Sequence, residues 1–328
     1  MRSVASRPPR GMTLVELLVV IGILVLLVAV AAPAMRPQLK DRKLREASRM
    51  LNTFIGGAKA RAAETNSPVG IWILRDRANN RANSSYQVFM AETPLPFAGE
   101  ELGDVGKATL SQPTPDGYAS MVEFNDAQKL ISNEPLRDQI QLDYRGPKYL
   151  LTLVDESAFP VRKFSLTPHP GFLLPRMRAP MTKVPFQVYR QPVRASGAPL
   201  ELPPGTAIDL AYSGVGQSGV EMIGGTADIV IMFTPTGAIE RVYGFGNASS
   251  IPGTIHFLIG RVDKLSELQD TPGDVATGNL GDPSNSWISI GHLTGTVSTA
   301  ENYVLDPATT NVTSARTIAA SKQTMGGR

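Results

Sequence analysis

One carboxylate stands where charge is expensive. Glu16 lies inside a run, Met12 to Ala32, that is otherwise apolar apart from Thr13 and Gly22. A charged carboxylate placed there costs on the order of a few kcal/mol unless it is paired or protonated. Cleavage of the backbone after Gly11 creates a partner, because the new α-amino group on Met12 is four positions from Glu16 and on the same helical face. In a neighbouring copy with a small axial stagger, that amine meets Glu16 instead, and repetition of the pairing builds a polymer.

The other residues capable of chemistry lack supporting patterns. The chain has no cysteine, which excludes disulfides, thiolate catalysis and cysteine-based zinc sites. His169, His256 and His292 are far apart and lack a ligand partner at helical spacing; His256, between Ile255 and Phe257, reads as a strand residue. Gly214-Val215-Gly216-Gln217-Ser218-Gly219 matches G-x-G-x-x-G, but Gly224-Gly225 and a strand-like run follow where a dinucleotide site needs a helix, so a mobile turn is expected. Asp209 and Asp228 fall in alternating strands, where single carboxylates mark the outward face. Asp263, Glu267, Asp270 and Asp274 are not ordered as a calcium loop. No catalytic, cofactor-binding or metal-binding residue is assigned, and the chain is expected not to be an enzyme.

The elements that must position Glu16 are legible in outline. As a helix, Met12 to Ala32 reaches roughly 31 Å, about one hydrocarbon thickness, and it has no polar face. Pro33 and Pro37 kink the helix rather than end it, since Leu39, Leu44, Ala47, Leu51, Phe54, Ala58 and Ala62 recur at mostly three-to-four spacing up to about Glu64. The chain's 328 residues are 42% hydrophobic, enough for a core in one large or two small domains. Its net charge of +3 equals the contribution of Arg2, Arg7 and Arg10 ahead of the apolar run. Charge does not set orientation, because six further bases from Arg36 to Arg49 closely follow the run.

Beyond the helix, short β-branched runs bounded by turn residues read as strands, beginning with Val69 to Leu74 and its hairpin partner Tyr86 to Met90. Later candidates include Val161 to Leu166, Phe186 to Arg190, Ala207 to Tyr212, Asp228 to Phe233, Thr254 to Ile259 and Trp287 to Ile290. Ser157 to Leu200 is proline-rich and has no acid, so it reads as an extended, loop-like insertion. Its bases, Arg162, Lys163, Arg176, Arg178, Lys183, Arg190 and Arg194, are candidate partner contacts, with another subunit favoured over DNA. Residues 315–328 read as a flexible tail.

Gly11-Met12-Thr13-Leu14-Val15-Glu16 and the apolar residues after it resemble the cleavage and methylation segment of type IV prepilins and type II secretion pseudopilins. The resemblance implies cleavage after Gly11 by a membrane-embedded prepilin peptidase, N-methylation of Met12, Glu16 as the assembly residue and Pro33 as the helix kink. Met12 departs from the usual phenylalanine. Ala58 to Val69 and Ile229 to Gly237 are similar to the H-type minor pseudopilins, the GspH/FimT-like group. The fold implied is α+β and pilin-like: leader 1–11, a transmembrane half-helix 12–35, an extracytoplasmic half-helix 36–65, and a mainly antiparallel β body 66–314 with an insertion at about 91–205. The function implied is a minor subunit that initiates or caps a pilus or pseudopilus, held in the bacterial inner membrane before assembly, with other pilins as partners and no cofactor. Two alternatives stand beside it. One is a DNA-uptake minor pilin. The other is a β-rich protein with an ordinary signal peptide, whose A-x-A site would be Ala29-Val30-Ala31, although such a peptide needs no acid at the start of its apolar region.

Overall fold

A computed structural model describes residues 13–77, 81, 83–99, 107–131, 138–155, 157, 160–177, 179, 181–217, 219, 222–225, 227–244, 253–266, 275–304 and 310–324, with backbone alone for 30–39, 112–113 and 322–324. Helix α1 (Leu14–Thr65) runs continuously through Pro33 and Pro37 and ends at Asn66, which adopts the left-handed conformation (φ 48°) that commonly stops helices. Its second half buries Leu44, Ala47, Ser48, Leu51, Ile55, Ala58 and Ala62, the three-to-four stripe visible in the sequence. Gly56 and Gly57 make no close approach to a neighbour: a Cβ at Gly56 would meet nothing, and one at Gly57 only Met90 at 3.8 Å.

Three strands precede the insertion: β1 (Val69–Leu74), β2 (Ser84–Ser85) and β3 (Gln87–Glu92). Six follow in residues 107–189: β4 (Lys107–Pro113), β5 (Ala119–Asn125), β6 (Gln139–Leu142), β7 (Lys148–Asp155), β8 (Val161–Pro168) and β9 (Thr182–Tyr189). Then come β10 (Val193–Arg194), β11 (Leu200–Glu201), β12 (Thr206–Val215), β13 (Ile229–Phe233), β14 (Ile239–Tyr243), β15 (Ile255–Arg261), β16 (Ser286–Ile290), β17 (Val297–Glu301) and helix α2 (Val312–Thr324). Sheet 1 has the order β10-β3-β1-β13-β14, with β11 also on β3; sheet 2 has the order β17-β16-β15-β12-β2. The pairings within both are antiparallel, including the expected hairpin of β1 with β3 (Ile71 opposite Met90). The architecture is α+β, an amino-terminal helix followed by antiparallel β structure.

The second half of α1 and the inner faces of both sheets share one core, in which Ile55 and Leu51 join Ile71 and Ile231 of sheet 1 and Phe257 and Ile288 of sheet 2. Gly70 permits the tight β1–β13 pairing, since a Cβ there would lie 1.9 Å from the Ile231 carbonyl oxygen. The outer face of sheet 2 is covered too: Tyr212, Leu258 and Trp287 pack against Ala315 and Ala319 of α2. Burial on both faces explains why β12, β15 and β16 read as nearly continuous apolar runs. The expectation of a flexible tail from residue 315 is therefore corrected up to Thr324. Asn311 Oδ1 accepts from the Ser314 amide (2.8 Å) at the start of α2, and Arg316 is fully buried. Residues 325–328 lie outside the described set.

The reading of 157–200 as extended and loop-like is also corrected. The strands expected at Val161 to Leu166 and Phe186 to Arg190 are found as β8 and β9, and they close with β4 to β7 into an antiparallel barrel, β4-β5-β8-β7-β6-β9, with a core of its own. Phe124 stacks on Phe164 (4.9 Å between centroids) and on Phe186 (4.6 Å). Closure removes unpaired strand edges. Pro113 and Pro168 sit at strand ends, while Pro160, Pro170 and Pro175 lie between strands. The chain enters and leaves the barrel side by side, because Phe97 and Val188 exchange backbone hydrogen bonds of 2.8 and 2.7 Å.

Candidate functional site

Thr13 opens α1 in an extended conformation, and its Oγ1 accepts from the Glu16 amide (3.3 Å) while its carbonyl accepts from the Leu17 amide (3.1 Å). Glu16 thus occupies the first turn, where the helix dipole favours a carboxylate. Thr13-x-x-Glu16 has the spacing of a capping box, a signal legible in the sequence that identifies Thr13 as part of the site beside Glu16. Every large apolar side chain from Leu14 to Val28 is at least 40% exposed, on all sides of the helix. A Cβ at Gly22 would meet nothing within 4 Å. Among the described residues no helix is long and apolar enough to cross a membrane. The apolar run of the sequence extends past the described side chains at both ends. Gly11 and Met12 lie outside the described residues, and Pro33 is described by its helical backbone alone.

At the other end of this exposed stretch the body grips the helix. Lys40 pairs with Asp263 (2.9 Å), Asp41 accepts from Arg261 (2.7 Å), and Lys43 donates to the Pro204 carbonyl (3.1 Å). Arg61 and Glu92 make a second clasp at 2.6 Å near the helix end. The charged face around residue 40 is in part a docking face for the body. Asp263, one of the acids considered for calcium, is engaged there with a lysine; Glu267, Asp270 and Asp274 lie outside the described residues.

The six described bases of the insertion do not converge. Arg162 is buried in the barrel against Asp126 (2.6 Å), whose two oxygens also accept from the Leu130 (2.8 Å) and Ile131 (3.4 Å) amides. Lys163 faces Glu123 (3.5 Å), and Arg176 bridges backbone to backbone with Tyr118. Lys183 is exposed on β9, while Arg190 Nε donates to the Leu95 carbonyl (3.1 Å). Arg194 lies 5.2 Å from the ring centres of both Trp72 and Phe89 and 3.6 Å from Asp228. Arg178 lies outside the described residues. Of these candidate partner contacts, Arg162 is corrected to a buried internal ion pair, and Arg194 is engaged with Trp72, Phe89 and Asp228 of its own chain.

Both aspartates expected to face outward are instead buried, in separate neighbourhoods. Asp228 accepts from Trp72 Nε1 (3.0 Å), the Arg75 amide (3.1 Å) and Arg77 (2.8 Å). Asp209 lies in sheet 2, where burial pushes its carboxyl up to about 6 although Asn279 Nδ2 (2.8 Å) and the Ala211 amide (3.0 Å) donate to it. His256 pairs with Ser289 (2.8 Å), and burial together with the nearby Arg316 pushes it down to about 4. The glycine turn expected to be mobile is tied by Arg316, which donates to the carbonyls of Tyr212 (2.8 Å), Gly216 (3.2 Å) and Gly219. Among the described residues no three potential metal ligands come together.

The geometry with functional content is therefore at the amino terminus: a capped helix start bearing Glu16, then an exposed apolar segment clasped to a body farther on. Residues 7–32 match the family model of the prokaryotic N-terminal methylation motif. The chain thus carries the amino terminus of a type IV prepilin-like precursor, the segment through which a prepilin peptidase acts and pilin-type subunits assemble. No curated protein and no solved structure matches the chain.

Proposed function

We propose that the protein is a minor pilin or pseudopilin, a structural subunit that initiates or caps a type IV pilus or a type II secretion pseudopilus. The observation that carries this reading is the division of α1 into an exposed apolar half headed by Glu16 and a half committed to the body. Before assembly the first half, residues 12–35, lies in the inner membrane with the body on the extracytoplasmic side. Removal of 1–11 and methylation of Met12 leave an amine that neutralises Glu16 of the adjoining protomer, while the apolar flanks exchange lipid for neighbouring helices. The action is mechanical, without a cofactor or a catalytic residue of its own.

A body enlarged by a six-stranded barrel fits a low-copy position better than a densely packed shaft. The internal engagement of Arg162 and Arg194 weakens the DNA-uptake alternative, which requires a cationic surface with steep salt dependence. The decisive experiment is the amino-terminal residue and its mass in membrane-extracted product. N-methyl-Met12 supports the proposal; a start at Ala32 points to a signal peptide and removes it. Glu16→Ala is expected to abolish filament incorporation while leaving the body's melting transition unchanged.

A further inference from the structure

The barrel and the outer face of sheet 1 meet beside the paired segments that join them, leaving a cleft of about 330 Å³. Its floor is Met232 and Tyr243, and its cationic groups are Arg241 from β14, Lys148 from β7 and Arg190 from the segment leaving the barrel. Pro94 and Pro96 fix φ along the entering segment, and Arg190 is held to the Leu95 carbonyl (3.1 Å), so the walls are preformed. The volume is at the lower end of the range of roughly 300–1,000 Å³ seen for small-molecule sites, which favour such domain junctions.

The charge in this cleft is unbalanced. Among the described residues Glu240 is the one carboxylate in its lining. Asp138, close to Tyr243, is committed to the Gln191 amide (2.7 Å). The Lys148 ammonium sits 3.4 Å from the centre of the Tyr189 ring, a contact that holds a cation without neutralising it. Burial, and then Arg241, hold Lys148 below its ordinary value, although Glu240 acts the other way. An anion between them would relieve that repulsion, and its body would cover Met232 and Tyr243.

We propose that the cleft between barrel and body binds a small carboxylate, its acid group between Lys148 and Arg241 and its compact body on Met232 and Tyr243. Such a carboxylate comes from a sugar acid or from a short acidic peptide, and the site is independent of Glu16 and of filament assembly. Titration calorimetry on the detergent-solubilised full chain tests it with glucuronate and with N-acetyl-aspartate, each against its neutral counterpart, glucose or N-acetyl-asparagine. At least one acid is expected to bind about tenfold more tightly than its counterpart, and to lose about tenfold in Lys148→Met and in Arg241→Gln but not in Lys183→Met. Glucuronate alone binding assigns a sugar acid; N-acetyl-aspartate alone assigns a peptide. Acylation of Lys148 in the unaltered chain needs no variant, and the bound acid is expected to slow it relative to Lys183. Equal binding of acid and neutral compound, no binding of either acid at millimolar concentration, or unprotected Lys148 overturns the proposal.

Discussion

Leu14 to Val28 and Leu44 to Ala62 belong to one helix and meet opposite conditions. In the second stretch one stripe is buried and most of the remainder is polar, as in a helix that docks on a soluble core. In the first, apolar side chains are exposed all round, and no partner for them exists within the described chain. Backbone hydrogen bonding is the same in both. The difference is where the burial comes from: the body supplies it for the second half, and in the function proposed above lipid or neighbouring helices supply it for the first. Glu16 sits at the end that needs an outside partner.

The sharpest way to break this contrast is one charge in each half. Ile55→Asp places a carboxylate in the core shared by α1 and both sheets. A cost above about 4 kcal/mol is expected, enough to leave the body unfolded by circular dichroism and open to protease. Leu24→Asp should leave the melting temperature of the body unaltered while releasing the chain from membranes. A body that melts early in Leu24→Asp would show that the two halves are not independent.

The barrel extends the comparison, since it too finds its partners within the chain. Asp126→Ala leaves the Arg162 guanidinium buried and uncompensated, for an expected loss of about 3–5 kcal/mol. The loss should appear as earlier exchange of amides in 107–189, with those of sheet 2 protected as before. Replacing both residues, as Asp126→Leu with Arg162→Met, should recover most of it. Equal exchange in barrel and sheets would make them one cooperative unit.

These contrasts also explain what the sequence disclosed. The first half of α1 announces itself because lipid-like burial demands an unbroken apolar run, and the second half because one-sided burial imposes a period. Glu16 stands out against the run, and its helix-capping partner Thr13 was equally visible. Strands β8 and β9 were legible, but the closure of the barrel was hidden, since β4 pairs with β9 and β9 with β6, contacts between distant segments that leave no local mark. Its prolines resembled loop punctuation and are in fact mostly spaced around strands. α2 was missed because its buried face is made of Ala315, Ala319 and the stem of Arg316, too small or too polar to stand out. Asn311, at the helix start, was the available signal.

Arg316 allows a smaller test within the body. Arg316→Met removes the donor to three carbonyls and should cost about 2–4 kcal/mol, releasing α2 and the turn at Gly216–Gly219 to protease. The half-helix 14–28 should retain its membrane behaviour.

The smallest expected effect is a near-cancellation in sheet 2, against which the second half of α1 packs. Asp209 titrates at about 6 in the fold against 3.8 ordinarily, so its neutral form is favoured by folding. Its contribution is complete below pH 3.8 and is lost as pH rises through 6, about 3 kcal/mol in all. His256 titrates at about 4 against 6.5, so its neutral form is also favoured, but the contribution is complete above 6.5 and is lost as pH falls through 4, again about 3 kcal/mol. Asp155 and Asp263 lie below their ordinary 3.8 and act beneath this window. The unaltered chain should therefore show nearly constant stability between pH 4 and 6.5. His256→Gln should expose a decline with rising pH, and Asp209→Ala a rise, whatever each substitution costs at a fixed pH. The slopes of the denaturation free energy are the measurement, and flat slopes in both variants would remove the assignment. Because both groups report on the body, the slopes should be equal in detergent and in lipid, whereas substitutions within 14–28 should respond to that change of surroundings.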